Sequence, residues 1–484
     1  MKESVSNQLE SLFNPNSVAI IGASSAAHKW GAQTVARLLS SGFQGRIYPI
    51  NPKEKEIMGL TAYPSLADVP GQVDVAVITV RAQMVPQAMK ECVQKKVKGA
   101  IIISADFAET GTQGLKLQQQ TLDIARQGGI RFVGPNCFGV FCATSLLNTL
   151  PIAPVKGDIG IISQSGSFTH MIARQAMARG HGVSKLISAG NQADLDVADY
   201  LEYLGEDPAT RIILMYLEGI KDGRKLLTAA RKIVGEKPVI VYKTGRNPES
   251  ARVSMSHTAT MTGEDRIFDA MCRQVGMLRA ESLFGALDMV SILLKQPLPP
   301  GRRIGIQGTG GQCVILADTC FSLGMAVPEL SDEDATFLMA GLDFPPHAPR
   351  PRNPVDFAGS HTALMDATVI NNLGRLDCID GIISYMPVTF HQAAMEMEDQ
   401  QEALDARLAK LVTDVPMKMG KPVILIRLGG RDSNQELRIS SSLQKAYESA
   451  GIPSYPTPEE AVKGMATLVE YSQIKKHFVH QITA

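Results

Sequence analysis

His257 stands in MSHTATMTG (255–263), between two hydroxyl side chains and ahead of a glycine. It follows KPVIVYKTGR, an apolar run with a basic turn after it, which reads as a buried strand. Glu218 closes another apolar run in MYLEGI. Two small-residue turns, SQSGSF (163–168) and GTGGQC (308–313), follow strand-like runs and open helix-like ones. A neutral imidazole attacks an acyl phosphate, and a carboxylate on its other ring nitrogen fixes the tautomer. Backbone amides at a helix start stabilise the PO₃ unit in transit. Each feature alone has a plainer reading: an inert loop histidine, a capping carboxylate, two tight turns. Together they fit a phosphohistidine intermediate, with Ser165 and Gly166 in one turn and Gly310 and Gly311 in the other as phosphate-binding positions.

A third turn, IIGASSAAHKWG (20–31), offers Gly22, Ala23 and Ser24 after the first apolar run. It is a helix-start phosphate site or a simple strand–helix turn, and it is not a full GxGxxG. Nicotinamide enzymes place Asp or Glu at the end of the next strand. Here IYPINPKEKE puts Asn51, Pro52 and Lys53 there, and a lysine suits a phosphorylated ribose or another anion. Glu54 and Glu56 lie just beyond. VGPNCFG (133–139) places Asn136 and Cys137 at another strand end, facing a ligand or merely forming a turn. No GxxxxGK[ST] occurs, so a P-loop triphosphate site is not expected.

The elements that must carry these residues are legible as repetition. Solidly apolar runs such as SVAIIG (17–22), VDVAVITV (73–80) and GAIIIS (99–104) alternate with helix-length segments. That is the signature of parallel strands covered on both faces, hence a doubly wound α/β fold. PIAPVKGD and QPLPPGRR interrupt the pattern. The stretches on either side of the second break look like divergent copies: IGIISQSGS parallels IGIQGTGGQ, and KPVIVYKTGR parallels KPVILIRLGGR. Only the first copy carries the glutamate and the histidine. Lysine plus arginine equals aspartate plus glutamate, 48 against 48, which disfavours a general nucleic-acid binder. Seven cysteines without a CxxC fit reduced thiols in a cytoplasmic protein. The first residues lack the apolar stretch of a secretory signal, and no run is long enough for a membrane span.

In order, SVAIIGAS, YPINPK, VDVAVITV, GPNCFG, ISQSGS, GNQADLD, YLEGIKDGRK and SHTATMTG resemble the α subunit of NDP-forming acyl-CoA synthetases, of the ADP-forming acetate–CoA ligase type, related to succinyl-CoA synthetase. The resemblance spans nearly the whole chain. It implies a CoA-binding Rossmann-like domain over 1–148 and a flavodoxin-like domain with the phosphohistidine loop over 149–295. A second flavodoxin-like ligase domain would occupy 301–484. It further implies that acyl-CoA, ADP and phosphate interconvert with a carboxylic acid, CoA and ATP. His257 would be phosphorylated, with Glu218 as its partner. Gly22, Ala23, Ser24 and Lys53 would touch coenzyme A, and Asn136 would lie near the thioester end. ADP or ATP with Mg²⁺ would sit on a separate ATP-grasp β subunit in a hetero-oligomer, since nothing after residue 470 can hold that module. No metal is expected on this chain. Ala259, Thr260 and Met261 depart from the family's histidine loop, Arg81 from its VPA stretch, and Gln312 and Cys313 from its small-residue third-domain turn. These departures bear on acyl and CoA preference. The alternatives are a catalytically silent CoA- or acyl-CoA-binding regulatory subunit and a nicotinamide dehydrogenase.

Overall fold

A computed structural model describes residues 5–247, 249, 264–342, 352–357, 362–386, 398–427 and 446–483. The chain divides into two compact units, Met1–Leu287 and Asp288–Ala484.

The first unit opens with helix α1 (Val5–Phe13), strand β1 (Ser17–Ile21), helix α2 (Trp30–Ser40) and strand β2 (Arg46–Ile50). A small antiparallel hairpin follows, β3 (Glu56–Ile57) with β4 (Leu60–Thr61). Then come β5 (Val75–Ile78), α3 (Val85–Lys95), β6 (Gly99–Ile102), α4 (Thr112–Gln127) and β7 (Arg131–Val133). The five longer strands form a parallel sheet in the order β2-β1-β5-β6-β7. All five residues of β1 and all four of β5 and β6 are buried, which is why these segments are apolar throughout rather than alternating. The chain leaves β1 toward β2 on one side and returns to β5 on the other. The loops after β1 and β5 therefore diverge and leave a crevice.

The second sheet of this unit uses β8 (Val140–Cys142), β9 (Leu147–Asn148), β10 (Lys156–Ser163), β11 (Val183–Ser188), β12 (Ile212–Leu217), β13 (Val239–Lys243) and β14 (Leu278–Arg279). Their order is β14-β13-β12-β10-β11-β8-β9. Helices α5 (Gly166–Ala178), α6 (Val197–Glu206) and α7 (Gly223–Ile233) connect the parallel core strands. Strand β10 has β11 on one side and β12 on the other, so a second crevice opens between the loops after β10 and β12. The N-terminal helix ties the two sheets. Its Leu9, Leu12 and Phe13 are fully buried, Phe13 stacks on Tyr203 of α6 at 5.1 Å, and the Tyr203 hydroxyl donates to Glu10 at 2.8 Å.

In the second unit, β15 (Ile304–Gly308), β16 (Val355–Asp356), β17 (Gly381–Tyr385), β18 (Val423–Ile426) and β19 (Ser454–Tyr455) form one parallel sheet, ordered β16-β15-β17-β18-β19. Alternate residues feed opposite faces. Ile382, Val423 and Leu425 join the cluster under the helix Ala363–Arg375. Ile383, Ile424 and Ile426 join the cluster under Gly311–Ser322 and Pro458–Thr483. Each such aliphatic side chain, removed from water, contributes about 1.5–3 kcal/mol. The molecule is thus α/β throughout, with three largely parallel sheets, as the apolar runs and their spacing imply.

Candidate functional site

The strands of the first unit end in loops that converge on one cavity of about 510 Å³. Thr79, Val80, Arg81 and Ala82 reach it after β5, and Ile103 to Asp106 after β6. Asn136, Cys137 and Phe138 follow β7, Gln164 and Ser165 follow β10, and Gly190, Asn191 and Gln192 follow β11. Carboxyl ends of parallel strands are where α/β folds collect ligands, because the crossover helices start there with their amides free. Two sheets contribute here to a single cavity.

The wall given by the second sheet is the start of α5. Ser165 is its N-cap: the hydroxyl accepts from the Phe168 N–H at 3.4 Å and lies 3.3 Å from the Ser167 hydroxyl. The remaining first-turn amides have no intrahelical partner and carry the positive end of the helix dipole, a setting for an anion. Gly166 is required by crowding, since a Cβ there would lie 2.9 Å from the Phe138 ring. Phe138 in turn meets Trp30 edge-on at 5.3 Å, and both line the cavity. Beside the same turn, Phe168 stacks on Tyr216 at 4.0 Å, with Tyr242 at 5.8 Å from Tyr216.

Glu218, the residue after β12, is buried. Its main-chain N–H is held by the Gln164 side-chain carbonyl, which also accepts from the Gly219 N–H at 3.0 Å; the Gln164 amide donates back to the Gly219 carbonyl at 2.6 Å. Burial pushes the Tyr216 phenol up, with Thr244 pulling the other way and the Glu218 carboxylate adding to the rise. Glu218 therefore stands one hydrogen-bonded step from the cavity wall. His257, Ala259, Thr260 and Met261 lie outside the described residues.

Asn136 sits at φ +54° beyond β7, and its side-chain amide donates to Asn191 at 3.3 Å. Asn191 donates to Gln118 at 3.1 Å and to Glu109, whose other oxygen accepts from the Asp106 N–H at 2.8 Å. Lys221 closes over the loop by donating to the Asn191 and Gln192 carbonyls, each at 2.7 Å, and burial lowers its pKa. Cys137 is buried; burial pushes its thiol up to about 12, and the sulfur donates to the Ile102 carbonyl at 3.3 Å. It is a packed neutral thiol rather than a reactive one.

Gly22, Ala23 and Ser24 follow β1 and Lys53 follows β2, and none of the four is among the cavity-lining residues. Gly22 adopts φ +94°, and a Cβ on Gly31 would fall 2.0 Å from the Gly22 carbonyl oxygen, so α2 starts directly on the turn. Pairing Gly22 with Gly31 performs the tight-turn and close-packing roles of a glycine fingerprint at an unusual spacing. Glu54 takes the donors of this turn. It accepts from the Ser25 N–H at 3.0 Å, the Ser25 and Ser24 hydroxyls and the Asn51 amide; the bonds from Ser25, then Ser24, hold its carboxyl below the usual range against the opposing effect of desolvation. Lys53 is exposed, with its main-chain N–H on Asn51 at 2.8 Å. Gly310 and Gly311 open the helix Gly311–Ser322 of the second unit, where the Gly310 N–H donates to Asp356 at 2.9 Å.

Sequence reasoning missed the cross-sheet set of Asn191, Glu109 and Gln118, and the bonds of Gln164 to the turn after β12. GNQADLD and SQSGSF flag two of these residues, but the partners lie 54 to 82 positions apart. Among the described residues, no group of three or more His, Cys, Asp or Glu could hold a metal ion, and no helix is long and apolar enough to cross a membrane.

Comparison with known proteins places this geometry. Residues 16–143 match the CoA binding domain family and residues 156–293 the succinyl-CoA ligase like flavodoxin domain family. The chain is 35% identical to the ADP-forming acetate–CoA ligase I subunit alpha of Pyrococcus furiosus, covering 97% of this chain and 99% of that one. It is 34% identical to the ADP-forming acetate–CoA ligase I of Archaeoglobus fulgidus, covering 96% of this chain but 64% of that relative's length. Among solved structures, the dinucleotide forming acetyl-coenzyme A synthetase 1 of Ca. Korarchaeum cryptofilum, in complex with phosphate and ADP, superimposes with a TM-score of 0.84 at 31% identity, over 98% of this chain and 99% of that one. The chain belongs to the ADP-forming acyl-CoA ligase family, among its α-subunit-type members.

Proposed function

We propose that the chain is the acyl-CoA-handling subunit of an NDP-forming acyl-CoA synthetase. It interconverts acyl-CoA, ADP and phosphate with a carboxylic acid, CoA and ATP. One observation carries this reading: a single cavity joins the loops of the CoA-binding-type sheet to the N-terminus of α5. A thioester entering from one side meets a phosphate-favouring helix start on the other.

The chemistry balances in three steps. A phosphate oxygen attacks the thioester carbonyl carbon, the C–S bond breaks, and CoA leaves as the thiol after taking a proton. An imidazole nitrogen of His257 attacks the phosphorus of the acyl phosphate, the P–O bond to the acyl group breaks, and the carboxylate departs. A terminal oxygen of ADP then takes the phosphoryl group from the imidazole, giving ATP and free histidine. Glu218 holds the second ring nitrogen and steadies the charge that forms on the ring. Ser165, Gly166 and the α5 dipole stabilise the transferring group. In this reading Gly22, Ala23, Ser24 and Lys53 contact coenzyme A and Asn136 lies near its thioester end. Gly310 and Gly311 are a second phosphate-binding start. The loop bearing His257, rich in small and polar residues, carries the phosphoryl group to a nucleotide. ADP with Mg²⁺ is assigned to an ATP-grasp β subunit, in line with the relatives named as α subunits. In this reading the three domains occupy 1–148, 149–295 and 301–484.

The test is phosphoenzyme formation. With [³²P]phosphate and a panel of acyl-CoA thioesters, the chain acquires an acid-labile, base-stable label, and His257→Ala does not. A His257→Ala chain that labels as well as the parent refutes the mechanism. CoA binding with no label under any thioester or partner points to the silent regulatory subunit instead.

A further inference from the structure

We propose that Gln164 is a positioning residue for phosphoryl transfer, locking the turn that bears Glu218 to the start of α5. The proposal rests on the function assigned above and names a residue that function does not require in advance.

Strands β10 and β12 pair in parallel up to Ser163 opposite Tyr216. The next main-chain bond runs from the Gln164 N–H to the Tyr216 carbonyl at 3.2 Å. Beyond that the backbone of one strand turns into α5 and the backbone of the other turns toward α7, so the ladder should end. The Gln164 side chain continues it. A primary amide presents one carbonyl and one N–H pair, as a peptide group does. Here the carbonyl accepts from the Glu218 and Gly219 N–H groups, and the amide donates to the Gly219 carbonyl. Three main-chain groups beside a buried carboxylate are thus satisfied by one side chain that is itself only 8% exposed. Gln164 also lines the cavity and immediately precedes the N-cap Ser165. A change in its length or hydrogen bonding moves Glu218 relative to the α5 amides, and misplacement by about 1 Å costs on the order of a hundredfold in rate. The residue acts through Glu218 and the helix start, not on the reacting atoms.

Two variants of the full chain test this. Gln164→Met keeps the volume and removes all three bonds; Gln164→Ala removes both. Two quantities are read: the rate of acid-labile labelling from [³²P]phosphate and acyl-CoA, and the dissociation constant of CoA from quenching of Trp30, the chain's one tryptophan. The labelling rate is expected to fall tenfold to a hundredfold in Gln164→Met while CoA affinity stays within threefold of the parent. Gln164→Ala should fall at least as far. A Gln164→Met chain that labels within twofold of the parent overturns the positioning role and leaves the assigned function standing. So does one that fails to fold, which makes the residue structural only. A parent that never labels overturns both.

Discussion

At the scale of single residues, the environment decides which reactive side chains remain reactive. Cys137 lies in a motif that reads either as ligand-facing or as a simple turn, and although it borders the cavity it is buried, neutral and bonded to a carbonyl. Cys92, Cys272, Cys313 and Cys320 are likewise pushed up to about 12 by burial, and only Cys378 is partly exposed. Ellman's reagent at pH 8 should therefore titrate at most about one thiol rapidly in the native chain and all seven in guanidinium. Rapid modification of Cys137 in a mapped digest would contradict the packing described. Trp30 makes the opposite case. It is 36% exposed, it lines the cavity against Phe138, and Arg37 lies 5.4 Å over its ring. Filling the cavity with CoA or acyl-CoA should alter its emission, and Trp30→Phe should abolish the signal. An emission spectrum unmoved by saturating CoA, with binding verified by calorimetry, would place the ligand elsewhere.

Elements show how far pattern alone can be read. The buried strands were legible because strands covered on both faces must be apolar at every position, and β1, β5 and β6 are. The two matching turns, SQSGS and GTGGQ, were legible for the same reason: a strand feeding a helix through small residues leaves a recognisable trace. Their caps were not. In α5 the cap is local, the Ser165 hydroxyl, whereas the helix Gly311–Ser322 draws a carboxylate from Asp356, 46 positions away, onto the Gly310 N–H. The same geometry hides Gln164: its partners are chosen by strand order, which no spacing in the sequence reports. The two helix starts should consequently respond differently. Ser165→Ala is expected to cost about 1 kcal/mol of stability, as N-cap losses do, and to slow phosphoenzyme formation. Asp356→Asn removes a negative charge from a helix start, costs about 0.3–1 kcal/mol, and should tighten inorganic phosphate binding at Gly310 and Gly311. Unfolding midpoints and phosphate titrations of the two variants check this. Phosphate affinity unchanged by Asp356→Asn would remove Gly310 and Gly311 from the phosphate-binding set.

For the molecule as a whole, a charge pair stands where the chain of the second unit first enters the sheet. Arg303 precedes β15 and Asp380 precedes β17, so their contact sets the register in which these central strands meet. The guanidinium reaches both carboxylate oxygens, at 2.9 and 2.8 Å, and the Arg303 N–H adds a third bond at 2.9 Å. Burial pushes the Asp380 carboxyl up, but the bonds from Arg303 outweigh it and leave the group below the usual carboxylate range. A carboxylate depressed in the folded state contributes stability that is fully present above its unfolded pKa of about 3.9 and disappears as pH falls through the folded value. The Arg303 side chain is 47% exposed, so solvent screens part of the pairing while the main-chain bond remains. Asp380→Asn should therefore lower stability at pH 7 by at most about 1.5–3 kcal/mol, the range for hydrogen bonds to a charged group, with screening at the exposed guanidinium reducing it. The gap between variant and parent should shrink steadily below pH 4, because the parent's own carboxyl becomes protonated there. Urea unfolding followed by circular dichroism at pH 7, 5, 4 and 3 reads the difference directly. A gap that holds constant across that series would mean the carboxylate's charge contributes nothing and that only its shape matters to the β15–β17 register.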